Sequence, residues 1–293
     1  MVGFLTLAAM VGLLALSAQA AEAVREGLRL CTASVLPSLF PFMVLSTFFA
    51  EIVNFSAFGS KLQQIAGRVL GCSTGGIGVF FLSLLGGYPV GPRLIAQLVR
   101  AGRLSREEAE HLLLFCNNAG PAFVLGLVGL GRFGALSYGI YLYLIHAAAA
   151  ALTALLFRPK VPFPVVGNRP TASKPYAEAL VDAIGGAGGT MVQLCSFITF
   201  FYTVLRLFSE KTGISHPLVL GFVELTQGIL QLPDTRAGFV LAAALLSWGG
   251  LSVHCQTAAV LSGTGLPLKN HLQGKICQTI LATLLASFVS FWL

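Results

Sequence analysis

Long apolar stretches without a single charged residue dominate this chain and limit what it can fold into. A helix needs about 20 apolar residues to cross a bilayer. The uncharged runs are 1–21, 30–50, 69–92, 112–131, 133–157, 183–205, 237–268 and 276–293. With 56% hydrophobic and 10% charged residues, this composition excludes an ordinary soluble enzyme, a disordered chain and a fibrous repeat. The sequence predicts an all-α polytopic protein of the cell membrane, with the lipid bilayer as its surroundings.

The charged residues fall in the gaps between these runs. The net charge of +7 comes from 18 Lys and Arg against 11 Asp and Glu, and no basic face is present, so we predict no nucleic-acid partner. Segment 158–175 holds five prolines and four basic residues without an acid, which predicts an exposed linker. Segment 1–21 ends in an A-x-A pattern but lacks a basic start, so we favour an uncleaved transmembrane helix over a signal peptide.

Two of the runs do not fit a simple crossing. Both 69–92 and 237–268 contain a Gly-Gly pair, at 86–87 and at 249–250. We interpret them as re-entrant helical hairpins at about 71–99 and 237–263, since non-helical backbone inside a membrane needs protein or a wet cavity beside it. The alternative for each is one long kinked helix.

The two regions also resemble each other in sequence. The string SLLGGYPV at 83–90 aligns with SWGGLSV at 247–253 when one residue is deleted. We therefore predict two repeats, 22–157 and 176–293, each with a hairpin and a broken or adjoining transmembrane helix. An odd number of crossings in the first repeat would make them inverted repeats, a common plan in transporters.

The first repeat carries candidate binding residues at two places. Gly87, Tyr88 and Arg93 lie at the predicted hairpin tip, where glycine permits close backbone approach and an intramembrane arginine is a functional candidate. Asn117 and Asn118 precede a Gly-Pro break, and buried side-chain amides are costly without partners. The alternatives are an arginine that reaches an interface or an acid, and a kink whose amides satisfy backbone groups.

The second repeat supplies the remaining candidates. Glu224, in the string ELTQG with Thr226 and Gln227, has no charged neighbour between Thr212 and Pro233. It could bind a cation, relay a proton or pair with Arg93. Ser252, His254 and Gln256 follow the second Gly-Gly pair, although a lone histidine is more often a packing residue.

Enzyme chemistry and fixed cofactors have no support in the sequence. No phosphate-loop, zinc-protease or nucleophile-elbow motif occurs. The six cysteines lie far apart without C-x-x-C spacing, so no metal site is predicted. We therefore predict a protein that is not an enzyme and has no cofactor. The sequence does not identify an ion whose gradient could drive transport.

Several strings together resemble the YlbJ-like sporulation integral membrane proteins. They are GLRL at 27–30, VLPSLFPF at 35–42, GYPVG at 87–91, FCNNAGP at 115–121, ELTQG at 224–228 and SWGGLSVHCQ at 247–256. This group belongs to the nucleoside-recognition, or Gate, domain proteins and is similar in plan to the concentrative nucleoside transporters.

The resemblance implies a function that the residues alone do not give. It implies a carrier of dipicolinic acid, a flat aromatic dianion, across the outer forespore membrane of a spore-forming bacterium. Two hairpin tips and a broken helix would hold this anion and move like an elevator. The chain is shorter than well-known sporulation members, so a second copy in a homo-oligomer could supply scaffold helices. The alternatives are a nucleoside or nucleobase transporter and a non-transporting spore-envelope assembly protein.

Overall fold

The computed structural model describes residues 2–52, 67–160, 163 and 175–293, and these contain helices and no strand. The helices of the N-terminal part are α1 (Val2–Ala15), α2 (Ser17–Leu30), α3 (Leu36–Ile52), α4 (Thr74–Gly86), α5 (Val90–Arg100), α6 (Arg106–Leu112), α7 (Ala122–Arg132, wound as a π-helix) and α8 (Leu136–Leu156). The helices of the C-terminal part are α9 (Tyr176–Thr212), α10 (Pro217–Val223), α11 (Leu225–Leu230), α12 (Arg236–Trp248), α13 (Gly250–Leu261) and α14 (Leu268–Val289). A π-helical turn, Cys31–Val35, joins α2 to α3, and a 3-10 turn, Ser290–Trp292, follows α14.

Four helical stretches are long and apolar enough to cross a membrane, by length and composition. They are Leu136–Leu156, Tyr176–Thr212, Arg236–Leu261 and Leu268–Trp292. A fifth results if Thr6–Ala15 and Ser17–Val35 are taken as one span, although these two segments are bent by 96°. The described residues therefore confirm the all-helical membrane class.

The N-terminal region differs from the single helix that we expected over 1–21. Helix α1 ends at Ala15, and Leu16 leaves the helical conformation before α2 begins. Helix α2 packs along α9, where Glu26 accepts hydrogen bonds from Arg206 at 3.0 Å and from Tyr202 at 2.9 Å. Contacts with α9 thus set the direction of α2. Because these contacts join distant parts of the chain, the hydropathy of segment 1–21 could not predict them.

Two units have the same order of elements. In the first, α4 and α5 form a packed pair, α6 and α7 flank a non-helical break at 113–121, and α8 follows. In the second, α10 and α11 form a packed pair, α12 and α13 flank a break at Gly249, and α14 follows. We name the packed pairs the first and second helix pair, and the interruptions the first and second break. An inverted relation between the units stays a prediction.

The structure differs from the prediction of a second hairpin at about 237–263. Helices α12 and α13 together make one apolar stretch of 26 residues, in which α12 packs against α14, and α13 packs against α5 and α9. The second pair of short helices lies earlier in the chain, on both sides of Glu224. Positive φ angles at Gly249 and Gly250 interrupt the helix, and a Gly-Gly pair by itself does not fix the direction that the chain takes next.

The linker predicted at 158–175 falls almost entirely outside the described residues. At the described ends, α8 stops at Leu156 and α9 begins at Tyr176. The boundary between the two repeats therefore stays a prediction.

Candidate functional site

A small cavity lies where elements of both units meet. Its polar lining comes from Tyr88 at the tip of the first helix pair, from Glu224 and Thr226 of the second pair, and from Ser252 and Gln256 at the start of α13. Apolar residues of α3 and α9, such as Leu39 and Leu194, complete the wall. The volume is about 40 Å³, room for a few water molecules. The structure thus brings five of the predicted site residues to one place.

Glu224 forms the junction between α10 and α11. Its backbone is extended, and its side chain accepts a hydrogen bond from the Gln227 amide at 2.8 Å, so it caps the start of α11. The residue is 1% exposed, and no Lys or Arg of the described residues forms an ion pair with it. The prediction of a pair with Arg93 does not hold in this structure. A carboxyl group without a counter-ion among the described residues therefore lines the cavity.

The tip of the first helix pair rests on the first break. Gly87 has φ +76°, and a Cβ atom added there would lie 3.0 Å from the Gly120 nitrogen. Next to it, the Tyr88 hydroxyl donates a hydrogen bond to the Leu246 carbonyl of α12. Tyr88 thereby links the first helix pair to the second unit while one side of it lines the cavity.

Asn117 and Asn118 hold the first break together and do not line the cavity. The Asn118 amide nitrogen donates to the Ser83 hydroxyl at 2.9 Å and to the Phe115 carbonyl at 2.8 Å. The Asn117 amide nitrogen donates to the Thr257 hydroxyl at 2.9 Å, while its side-chain oxygen has no partner among the described residues. These contacts favour the alternative in which the amides stabilise a kink.

Arg93 contacts α9 and is not among the residues that line the cavity. Its guanidinium donates to the Gly186 carbonyl at 2.8 Å and to the Thr190 hydroxyl at 2.7 Å, both on α9. A direct contact between Arg93 and a substrate carboxylate stays a prediction, and this conformation does not display it.

Gln227 and His254 also lie outside the cavity. Gln227 lines a separate, open cavity of about 520 Å³ that Tyr202 and Arg206 share. The His254 Nδ1 atom lies 2.9 Å from the His271 Nε2 atom. Among the described residues no group of three His, Cys, Asp or Glu side chains could hold a metal ion, so this pair of imidazoles has no third ligand.

A stripe of buried polar residues on α14 was not among our predictions. His271, Lys275 and Gln278 are each at most 1% exposed. Lys275 donates to the Asn117 carbonyl and to the Gln278 side-chain oxygen, both at 3.0 Å, and Gln278 donates to the Asn118 side-chain oxygen at 3.0 Å. We name these three residues the α14 stripe. Their spacing of four and three residues puts them on one helix face, a signal that the sequence contains.

The imidazole of His146 completes the contacts around the first break. Its Nε2 atom accepts from the Ala119 amide at 3.0 Å, and its Nδ1 atom lies 3.3 Å from the Ser247 hydroxyl. This pairing corresponds to the neutral imidazole with its proton on Nδ1. The first break is thus held by side chains of α8, α13 and α14.

Comparison with known proteins gives one informative match. No family model and no solved structure matches the chain. The chain is 26% identical, over an alignment of 308 residues, to the sporulation integral membrane protein YlbJ of Bacillus subtilis (strain 168). The alignment covers 89% of this chain and 75% of that protein. It confirms the resemblance found in the sequence and supports the assignment of this chain as a YlbJ-like integral membrane protein.

Proposed function

We propose that this chain is a membrane transporter of a small organic anion, with dipicolinic acid as the first candidate. The observation that carries the proposal is the cavity shared by the two units. Polar side chains from the first helix pair, the second helix pair and α13 converge there inside an apolar helical protein. Breaks in helices at the interface of two similar units are typical of transporter binding sites.

The start of α13 favours a negatively charged ligand. Ser252 and Val253 belong to its first turn and line the cavity. The first N–H groups of a helix have no partner within the helix, and the helix dipole adds a partial positive charge there. A carboxylate of the substrate would receive hydrogen bonds from this turn and from the Gln256 side chain.

The size of the cavity implies movement during transport. A space of about 40 Å³ is far below the several hundred Å³ of a typical small-molecule site. The helix pairs must therefore separate to admit an aromatic dicarboxylate. Tyr88, at the tip of the first pair, would then be free to stack on the ring.

The place of this transport rests on the similarity to YlbJ. That protein is named for sporulation and for its location in a membrane. We propose that this chain acts in spore formation as well, and that it resides in the outer forespore membrane.

One observation favours a second candidate, a nucleoside transporter. Glu224 lines the cavity, and none of the described Lys or Arg residues forms an ion pair with its carboxyl group. An ionised carboxylate accepts hydrogen bonds from the hydroxyl groups of a ribose, whereas it repels a dianion unless it holds a proton or a cation.

Calorimetry with the purified protein in detergent tests the proposal. We expect dipicolinate to bind and uridine not to bind. The variant Gln256→Leu, in the cavity, should weaken dipicolinate binding by about tenfold, the value of one lost hydrogen bond to a charged group. Gln97→Leu makes the same change at an exposed position of α5 and should leave binding unchanged.

Other outcomes of this experiment would replace the proposal. Uridine binding without dipicolinate binding would favour the second candidate, a nucleoside transporter. Absence of both in well-folded protein would contradict a transporter of either kind. It would favour an envelope-assembly role, in which Asn117→Ala and Gln256→Ala leave function intact.

A further inference from the structure

Lys275 is a buried lysine whose side chain reaches the first break. It lies in the middle of α14 and is 1% exposed. Its two hydrogen bonds go to uncharged oxygens, the Asn117 carbonyl and the Gln278 side chain. Among the described residues no carboxylate forms an ion pair with it. The ammonium group therefore has no neutralising partner.

A buried ammonium without a counter-charge is costly. Removing an ion from water carries a penalty of several kcal/mol, and paired carboxylates are the usual compensation. Ionisable residues inside a membrane protein therefore commonly mark the path of a substrate or ion. The two oxygens that contact Lys275 compensate part of the penalty, and a bound anion would favour the protonated, charged form of this lysine.

The ammonium lies directly behind the wall of the cavity. Its nitrogen is 5.4 Å from the centre of the Tyr88 ring, and Tyr88 itself lines the cavity. The Asn117 carbonyl that binds Lys275 lies three residues before Gly120, another lining residue. Lys275 thus contacts a residue that also lines the proposed substrate site.

The two other cations considered for this role are less well placed. Arg93 is held by two oxygens of α9 and is absent from the cavity lining. Lys269, on the same helix as Lys275, is exposed.

We propose that Lys275 is the residue that makes the site selective for an anion. When the helix pairs open and Tyr88 turns to stack on the substrate ring, the charge of Lys275 attracts a substrate carboxylate. This inference deepens the proposed function and rests on it.

The test compares two ligands of the same shape, dipicolinate and its neutral diamide, pyridine-2,6-dicarboxamide. The measured quantity is the ratio of the two Kd values, diamide over dipicolinate, obtained by calorimetry. We expect Lys275→Gln, which keeps an N–H donor but no charge, to lower this ratio about 30-fold, as expected for loss of one partner of a buried charge pair. Lys269→Gln removes a charge from the same helix at an exposed position and should leave the ratio within about twofold.

A second variant serves if Lys275→Gln does not fold. Gln278→Glu places a carboxylate next to the ammonium, because the two side chains are 3.0 Å apart in the native protein. It should lower the same ratio while the lysine itself is retained.

The possible failures are distinguishable. If the wild-type protein does not bind dipicolinate, the proposed function fails. If the wild-type protein binds both ligands and the ratio of the Kd values is unchanged in Lys275→Gln, the proposed role of Lys275 is wrong. The same holds for an unchanged ratio in Gln278→Glu when only that variant folds. The role is also wrong if both ligands weaken equally, which indicates a structural lysine, or if Arg93→Gln alone removes the preference.

Discussion

Each unit contains a close backbone contact between its helix pair and its break, which we call the joint. The glycine at the contact comes from the helix pair in one unit and from the break in the other. In the first unit the glycine with positive φ, Gly87, belongs to the helix pair and lies against Gly120 in the break. In the second unit the corresponding glycine, Gly250, belongs to the interrupted long helix and lies against the second helix pair. A Cβ atom added to Gly250 would lie 3.1 Å from both the Val223 oxygen and the Leu225 nitrogen. Backbone approaches backbone in both joints, so a side chain at the contact would push them apart.

The joints differ in where the nearest charged residue of the helix pair lies. In the second pair, Glu224 occupies the junction itself and faces the cavity. In the first pair, Arg93 lies about one turn into α5 and contacts α9. A shift of a few residues along a helix therefore decides whether a charged group faces the cavity or the surrounding helices.

The largest expected effect concerns a second close contact between the first helix pair and the first break. A Cβ atom at Gly91 would overlap the Cys116 carbonyl oxygen, which is backbone and cannot rotate away as a side chain could. We expect Gly91→Ala to lower the free energy of unfolding by more than about 3 kcal/mol. The protein should then be lost to aggregation, which size-exclusion chromatography detects as a lower yield of monodisperse protein. Gly185→Ala in α9, where no atom lies within 4 Å, is the control. A normal yield of Gly91→Ala would show that Gly91 and Cys116 are not packed as closely as described.

An intermediate effect separates the two glycines of the second break. Gly250→Ala and Gly249→Ala both introduce a side chain at positive φ, which costs about 1–2 kcal/mol. At Gly250 the added atom also meets backbone of the second helix pair, whereas at Gly249 it meets the Val253 side chain at 3.3 Å. We expect Gly250→Ala to lower the thermal unfolding midpoint clearly more than Gly249→Ala. Equal midpoints would contradict a tight contact at Gly250.

The smallest expected effect on stability is that of Glu224→Gln, which we expect to change ligand binding instead. Glu224→Gln keeps an oxygen that caps α11, so the free energy of unfolding should change by less than about 1 kcal/mol. Because the neutral amide no longer opposes a dianion, dipicolinate should bind about three- to tenfold more tightly. Calorimetry measures both ligands, with Asp234→Asn as an exposed control. Weaker binding of dipicolinate would show that the carboxyl group serves the ligand directly.

The sequence predicted part of the cavity lining and missed part of the path of the chain. Tyr88, Ser252 and Gln256 were singled out beside Gly-Gly pairs, and Glu224 with Thr226 for the lack of charged neighbours. All five line the cavity, whereas the other six candidates do not. Breaks need glycine, proline or capping residues, so local sequence contains that signal. The position of the second helix pair was missed, because the same Gly-Gly dipeptide serves as a tip in one unit and as an interruption of a long helix in the other.

Long-range contacts explain the remaining differences. Arg93 binds α9 residues 93 and 97 positions later in the chain, and no local pattern contains that pairing. Lys275 was interpreted as one of the basic residues that flank a span. The spacing of the α14 stripe would have identified it, because three polar residues on one face of a spanning helix predict a buried polar contact.

The α14 stripe has a consequence for how the protein is made. Asn118 receives the side chain of Gln278, and the Asn117 carbonyl receives Lys275, from positions about 160 residues further along the chain. The ribosome completes the first break long before it reaches these two partners. Until α14 has been made, these polar groups of the first break lack the partners that they have in the folded protein. We therefore expect a chain cut short before α14 to be unstable in the first break as well.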